Sequence, residues 1–303
     1  MIDRSMSPDI SQPLFANWRD RLPYFMSLTR LDRPIGILLL GWSMLWGLWI
    51  GAGGWPGFKI FAVFTVGCVL TRSAGCCIND YADRHFDGHV ARTQQRPLAS
   101  GHVLPAEALW LAGGLMALAG LLVLLTNLTT ILLAVVAALL AAVYPFCKRV
   151  THLPQLVLGA AFGMSIPMAF AATSGSVPAV GWALFAISLV WSTAYDTEYA
   201  MTDRDDDLKI GIKSTAILFG RFDVLAVALL LAAVLVGLIG VGLHLHYGVA
   251  WWLGLVGATA SAGYQIHLIR DRDPAKCFQA FQHNQYFGLA VFAGLFVELW
   301  PTG

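Results

Sequence analysis

Charge is scarce in this chain. Asp, Glu, Lys and Arg make up 12% of its 303 residues, about half the share of a soluble domain. Too few charged groups exist to clothe a water-exposed surface of this length. Hydrophobic residues reach 57% and mean hydropathy is +0.67. The chain therefore reads as an all-α polytopic membrane protein with one domain, residues 1–303. An excess of either sign is also missing. The formal net charge is +1, which gives no case for nucleic acid as a partner. Cysteines are few and odd in number: Cys68, Cys76, Cys77, Cys147 and Cys277. They lie in or beside apolar segments without zinc spacing, so they read as small buried residues and not as a disulfide framework. The first residues lack an early apolar run, and they lack the Arg- and Ser-rich, acid-poor character of a transit peptide. Direct insertion into a bacterial inner membrane is expected.

Long apolar runs are what the chain has in quantity. Residues 1–13 read as a disordered tail. From 14 to 30, Phe15, Trp18, Leu22 and Phe25 share a face, with Arg19 and Arg21 among the polar positions. This pattern predicts a helix lying on the cytoplasmic interface within an N-terminal region 1–33. Apolar segments follow near 34–53, 58–78, 105–126, 128–147, 153–173, 178–200, 222–243, 248–268 and 284–300. Each is long enough to cross about 30 Å of hydrocarbon. The division at Thr126 to Thr130 rests on the shortest turn. Nine spans with the N-terminus inside place every Lys and Arg on the cytoplasmic side except Lys59 and Arg72, out of 19. That asymmetry supports both the count and the orientation.

Two acidic clusters then fall at cytoplasmic helix ends. After the second span come Asn79, Asp80, Asp83 and Asp87. As one helix they occupy an arc of about 100°. After the sixth span, Asp196, Asp203 and Asp207 stand at i, i+7 and i+11, again on one helical face. Carboxylates on one face repel unless a cation lies between them. A hard divalent cation suits them. Mg²⁺ is held by a few carboxylates and completes its shell with phosphate oxygens. All seven residues are candidate metal ligands, and two such helix ends facing each other would form a cage for two cations and a diphosphate. The four-span offset between the clusters hints at an internal duplication.

Arg72 is the sharpest single residue. It lies seven residues before Asn79, on the same face and about 10 Å deeper. An arginine inside a span is costly unless paired or hydrated. It reads either as an ion-pair partner of a motif aspartate or as a hook for a substrate carboxylate, which a guanidinium grips with two hydrogen bonds. Asp83, Asp203 and Arg72 are the expected catalytic residues. Lys148 and Arg149 after Tyr144-Pro145 either neutralise a diphosphate or simply obey topology, and the loops 88–101, with Arg92 and Arg96, and 208–221, with Lys209 and Lys213, read as basic lids over the acidic cage or as plain positive-inside loops. Arg72, Asn79, Lys148, Arg149, Arg92, Lys209, Lys213 and Tyr199 make up the substrate-binding candidates. His85 and His89 flank Asp87, but with acids as the majority ligands they do not read as zinc ligands. Glu198 points away from the Asp203 side.

Asn79-Asp80-x-x-Asp83-x-x-x-Asp87 paired with Asp196-x-x-x-Ala200-x-x-Asp203-x-x-x-Asp207 resembles the motif pair of the UbiA superfamily of intramembrane prenyltransferases. The pattern is most similar to its 4-hydroxybenzoate polyprenyltransferase branch. Arg30-Leu31-Asp32-Arg33-Pro34-Ile35-Gly36, Asp80 through Gly101, Tyr144 through Arg149, Leu153 through Phe162 and Tyr195 through Gly220 extend the resemblance over nearly the whole chain. It implies nine transmembrane helices around a central cavity, Mg²⁺ at both motifs and a lateral opening for a prenyl chain. By position, Asn79, Asp83, Asp203 and Asp207 would bind metal or diphosphate, and Arg72 would lie in the aromatic-acceptor pocket. Met164 departs from the pattern, since similar sequences often carry Trp there.

The implied reaction is Mg²⁺-dependent C-prenylation of 4-hydroxybenzoate by a polyprenyl diphosphate, as in ubiquinone synthesis, at the ring carbon ortho to the hydroxyl. Haem- and menaquinone-pathway prenyltransferases share such motifs and remain alternatives. A cation-coupled transporter also buries acids and an arginine, but usually near the midplane on interrupted helices.

Overall fold

The computed structural model describes residues 18–89 and 92–300, without the side chains of Trp18, His89 and Lys148. Thirteen α-helices lie within these residues: α1 Trp18–Leu28, α2 Ile35–Ala52, α3 Phe58–Asp83, α4 Pro105–Val123, α5 Leu128–Val150, α6 Pro154–Gly163, α7 Ser165–Ser174, α8 Ala179–Thr202, α9 Arg204–Ile210, α10 Thr215–Phe219, α11 Asp223–His244, α12 Val249–Ile269 and α13 Pro274–Glu298. The expected tail 1–13 and the start of the amphipathic stretch, 14–17, lie outside the described residues.

Several helix ends are set by local chemistry. Gly53, in the left-handed region at φ 65°, closes α2, a conformation that glycine adopts without steric cost. Asn127 opens α5 by accepting from the Thr130 backbone N–H at 2.9 Å, so the short turn does separate two helices. Asp273 caps α13 in the same way from Lys276 N–H at 2.9 Å, ahead of a proline at the first helical position. The fifth apolar stretch is broken at Met164 into α6 and α7. Pro167 lacks the N–H that would bond Gly163 one turn back.

Six stretches are long and apolar enough to cross a membrane: Ile35–Ala52, Phe58–Asp83, Pro105–Val123, Leu128–Cys147, Pro154–Ser174 and Thr215–His244. The chain is a multi-pass helical membrane protein. α8, α12 and α13 are equally long but carry polar groups on faces turned into the protein. Glu198, Gln265 and Asn284 are each fully buried. α13 starts at Pro274, ten residues before the apolar run at 284–300.

Around the bundle α2 touches α3, α3 touches α4, α5 touches α6 and α7, and α6 touches α8. α8 then meets α11, α11 meets α12, α12 meets α13, and α13 returns to α2. α4 and α5 are consecutive in sequence yet barely meet. An aromatic core joins three helices. Trp46 of α2 stacks on Trp191 of α8 at 5.0 Å, and Trp191 meets Phe287 of α13 at 5.4 Å. Trp191 Nε1 donates to Asn284 Oδ1 at 2.9 Å, and Asn284 Nδ2 donates to Glu198 Oε2 at 2.7 Å. These buried polar groups thus satisfy one another, as a low-dielectric interior requires. α1 packs on α3 with Leu28 against Ala74 and Cys77, and Arg21 pairs with Glu107 of α4 at 2.6 Å. All five cysteines are buried and free.

Candidate active site

α3 ends at Asp83, and Arg84 caps that end by donating to the Tyr81 carbonyl at 2.6 Å. A cation there suits the negative end of the helix dipole. The chain then turns, and Asp87 opens a short 3-10 turn. The expected single helical face from Asn79 to Asp87 is therefore broken, and Asp87 reaches the site from a loop. The second cluster departs in the same way. α8 stops at Thr202, Asp203 is non-helical at φ −105°, and Asp207 belongs to α9. The turn around Asp203 replaces the expected i, i+7, i+11 helical face.

Three arginines hold three of the motif aspartates. Asp80, 1% exposed, receives two hydrogen bonds from Arg30 Nη2, both at 2.8 Å, and pairs with Arg96 at 3.1 Å. In this arrangement Asp80 anchors two guanidiniums in place of the cation expected of it. Arg96 also holds Asp87 at 3.0 Å. Burial pushes the Asp87 carboxyl above its ordinary value in spite of that guanidinium. Arg92 crosses to the second cluster. Its Nε donates to Asp203 Oδ1 at 2.9 Å, its Nη2 reaches Oδ2, and its guanidinium lies 4.6 Å from the centre of the Tyr199 ring. The loop after the first motif is thus tied to the second motif through an arginine.

All seven motif residues line one cavity of about 1280 Å³, together with Arg72, Arg92, Tyr199 and Lys213. That exceeds the range of about 300–1,000 Å³ usual for small-molecule pockets and leaves room for a long chain. Its far wall is apolar. α5 contributes Ala134, Ala137, Ala138 and Ala141, whose short side chains leave space, while Leu132 and Leu139 of the same helix face outward. Among the described residues no group of three or more His, Cys, Asp or Glu is close enough to hold a metal ion. The closed acidic cage expected from helical phasing is not assembled here.

Arg72 makes no ion pair among the described residues, so the motif aspartates are not its partners. Its Nη1 donates to Cys76 Sγ at 3.0 Å, its guanidinium lies 5.5 Å from the centre of the Phe162 ring, and its Nε is buried without an acceptor.

The remaining basic candidates divide. Lys213 lines the cavity and donates to the Val150 carbonyl at 3.2 Å. Arg149 turns to the end of α3 instead, donating to the Ala82 carbonyl at 2.6 Å beside the Phe86 ring. Lys209 is a surface residue paired with Asp206 at 3.0 Å. Neither Arg149 nor Lys209 lines the cavity. The Lys148 and His89 side chains lie outside the described set. His85 is exposed. Met164, where the resemblance led to an expectation of Trp, is buried at 4% exposure and does not line the cavity. Sequence reasoning passed over Arg30, whose only signal was the Arg-Leu-Asp-Arg-Pro stretch, and Tyr144, which also lines the cavity.

Comparison with known proteins gives concordant results. The family described as UbiA prenyltransferase matches residues 40–291. A protein of Chromohalobacter salexigens named 4-hydroxybenzoate octaprenyltransferase is 53% identical over 98% of this chain and 99% of its own length. One of the same name from Alkalilimnicola ehrlichii is 54% identical over 93% of this chain and 96% of its own. In fold, the chain resembles a UbiA homolog from Aeropyrum pernix K1, with a TM-score of 0.77 at 23% identity over 86% of this chain and 97% of that one. It also resembles a UbiA homolog from Archaeoglobus fulgidus bound to GPP and Mg²⁺, with a TM-score of 0.68 at 17% identity over 89% and 99% of the two chains.

Proposed function

The chain belongs to the UbiA prenyltransferase family, and from that premise we propose that it transfers a polyprenyl group from polyprenyl diphosphate to the carbon of 4-hydroxybenzoate ortho to the hydroxyl, a step of ubiquinone synthesis. The observation that carries this reading is one cavity with three kinds of wall: two acidic motifs at its mouth, a half-buried arginine without a carboxylate partner among the described residues, and an apolar, alanine-rich face. Relatives matched over nearly their whole length support the choice of acceptor.

Mg²⁺ fits the mouth. Asn79 Oδ1 is a buried acceptor with no donor among the described residues, and Asp83 and Asp207 bring oxygen ligands to the same cavity. Asn79, Asp83, Asp203 and Asp207 would hold the ion. A metal that takes one or two carboxylates and completes its shell with phosphate oxygens needs no closed protein cage. When bound, Mg²⁺ would draw charge from the diphosphate and ease its departure. Arg92, Arg96 and Lys213 share that end and would bind the remaining diphosphate oxygens. The alanine-lined wall would receive the chain and keep water from the allylic cation. Arg72 would orient the ring through its carboxylate, leaving the ortho carbon toward the donor. The ring proton would leave to a motif carboxylate or to diphosphate.

In the membrane we place nine spans, counting α6 and α7 as one and adding α8, α12 and α13 to the six most apolar. α1 lies on the cytoplasmic interface, and the active site faces the cytoplasm of an inner membrane. The distribution of Lys and Arg supports this. A reporter fused after Gly303 is expected on the far side from the cytoplasm, and a cytoplasmic signal would remove one span from the count. For the activity, purified protein given Mg²⁺, octaprenyl diphosphate and 4-hydroxybenzoate should release diphosphate and form the prenylated acid. A panel of other acceptors should react far more slowly. Diphosphate release without acceptor specificity would overturn the assignment.

A further inference from the structure

The guanidinium of Arg72 rests in a notch of α2. A Cβ placed on Gly36 would stand 2.5 Å from both Nε and Nη2 of Arg72 and 2.9 Å from Cζ. Equal distances to the two nitrogens, with the carbon farther off, put that point outside the Nε–Nη2 edge and in line with it. The edge is therefore closed against Gly36, which accounts for a buried Nε with no acceptor. Gly36 lies in the first turn of α2 with no positive φ. Its backbone does not need glycine there, and alanine is the better helix former. Only the space requires it.

The other sides of the guanidinium are also set. Nη1 gives one hydrogen to Cys76 Sγ at 3.0 Å, and the Phe162 ring lies 5.5 Å from Cζ. Nη2 makes no hydrogen bond among the described residues. With the Nε edge sealed, the Nη1–Nη2 edge is what remains for a ligand in the cavity. We propose that Gly36 is a specificity-determining residue for the acceptor. It lets Arg72 lie back against α2, so that the Nη1–Nη2 edge meets the carboxylate of an aromatic acid, with Cys76 and Phe162 holding that orientation. Gly36 acts through Arg72 and is a positioning residue. This inference rests on the acceptor reading proposed above.

Gly36→Ala is expected to fold, because the atoms in its way are the end of a flexible side chain and not backbone. Its added methyl drives the guanidinium off its seat. The KM for 4-hydroxybenzoate should rise about tenfold to a hundredfold, the loss expected when a charged hydrogen bond is misaligned. The KM for the prenyl diphosphate should stay within about twofold. A general structural defect would move both constants. In the Arg72→Ala background, Gly36→Ala should cost nothing further, since there is no guanidinium left to displace. Should Gly36→Ala not insert, Cys76→Val tests the opposite side, with a smaller rise in the same KM. An unchanged acceptor KM in the variant tested, or a full additive loss on top of Arg72→Ala, would overturn the inference. Its failure is distinct from failure of the proposed function. If the wild-type protein does not prenylate 4-hydroxybenzoate, the acceptor assignment fails. If it does and these variants behave as wild type, only the role of Gly36 fails.

Discussion

Asp203→Ala is expected to lower kcat by roughly two to three orders of magnitude, with the protein still inserted and folded. Asp203 sits in a turn between α8 and α9, so its removal disturbs no helix interior. Its carboxylate is the partner of Arg92, and it faces the same cavity as Asp83. The pair with Arg92 is partly exposed, with 31% and 15% of the two side chains open, so its loss alone costs little. The large effect is expected from loss of a ligand to the metal that would stabilise the departing diphosphate. Asp83→Ala should behave alike, since Asp83 ends α3 at the same mouth with 4% exposure. Steady-state rates across a Mg²⁺ titration, with gel filtration as the check of fold, make the measurement. Arg92→Ala is the informative control. If Asp203 served only to hold Arg92, the two variants would lose the same amount and show the same Mg²⁺ requirement. A larger loss at Asp203, with a raised Mg²⁺ requirement, marks it as a ligand. Turnover within a few-fold of wild type for Asp83→Ala or Asp203→Ala would remove the acidic motifs from the mechanism.

The second large effect is expected at Arg72, and it should be confined to one substrate. Arg72 lies about two turns deeper along α3 than Asn79, away from the arginines that serve Asp80, Asp87 and Asp203. A diphosphate held at the mouth would point its reactive carbon down toward that depth. A carboxylate there needs a buried cation, and removing the cation typically costs about 3–5 kcal/mol. Arg72→Ala should therefore reduce kcat/KM for 4-hydroxybenzoate by roughly two to four orders of magnitude while donor affinity changes little. Arg72→Lys should recover part of the loss, because a point charge cannot reproduce a guanidinium edge. The check is kinetics with each substrate varied, plus direct binding of the prenyl diphosphate. Lost donor affinity with an unchanged acceptor constant would assign Arg72 to the diphosphate.

Both expectations lean on motifs visible in the linear chain, but the structure changed what surrounds them. Helical phasing grouped Asn79, Asp80, Asp83 and Asp87 as equals. Asp80 proved to be enclosed by Arg30, fifty residues away, and by Arg96. Nothing in a local pattern tells which carboxylate of a cluster meets a cation from a distant turn. Phasing also assumed an unbroken helix, and both clusters instead sit where a helix gives way to a turn. Arg149 and Lys213 looked alike in sequence, as basic residues after apolar runs. Arg149 binds the end of α3, and only Lys213 reaches the cavity.

The sequence by itself determined what depends on neighbours along the chain. The membrane class, most helix ends, the break between α4 and α5 at Asn127, and the two acidic motifs all follow from apolar runs, caps and spacing over a few residues. Tertiary structure decided what depends on residues brought together across the bundle. α8, α12 and α13 bury Glu198, Gln265 and Asn284 against other helices, and α13 starts at Pro274, ten residues before its apolar run. Arg92 meets Asp203 across 111 residues, joining the loop after the first motif to the second. Gly36 and Arg72, on different helices, fit only because one lacks the side chain that would occupy the other's place. Periodicity reports which face of a helix is apolar. Which atom stands opposite that face is settled only when the helices pack.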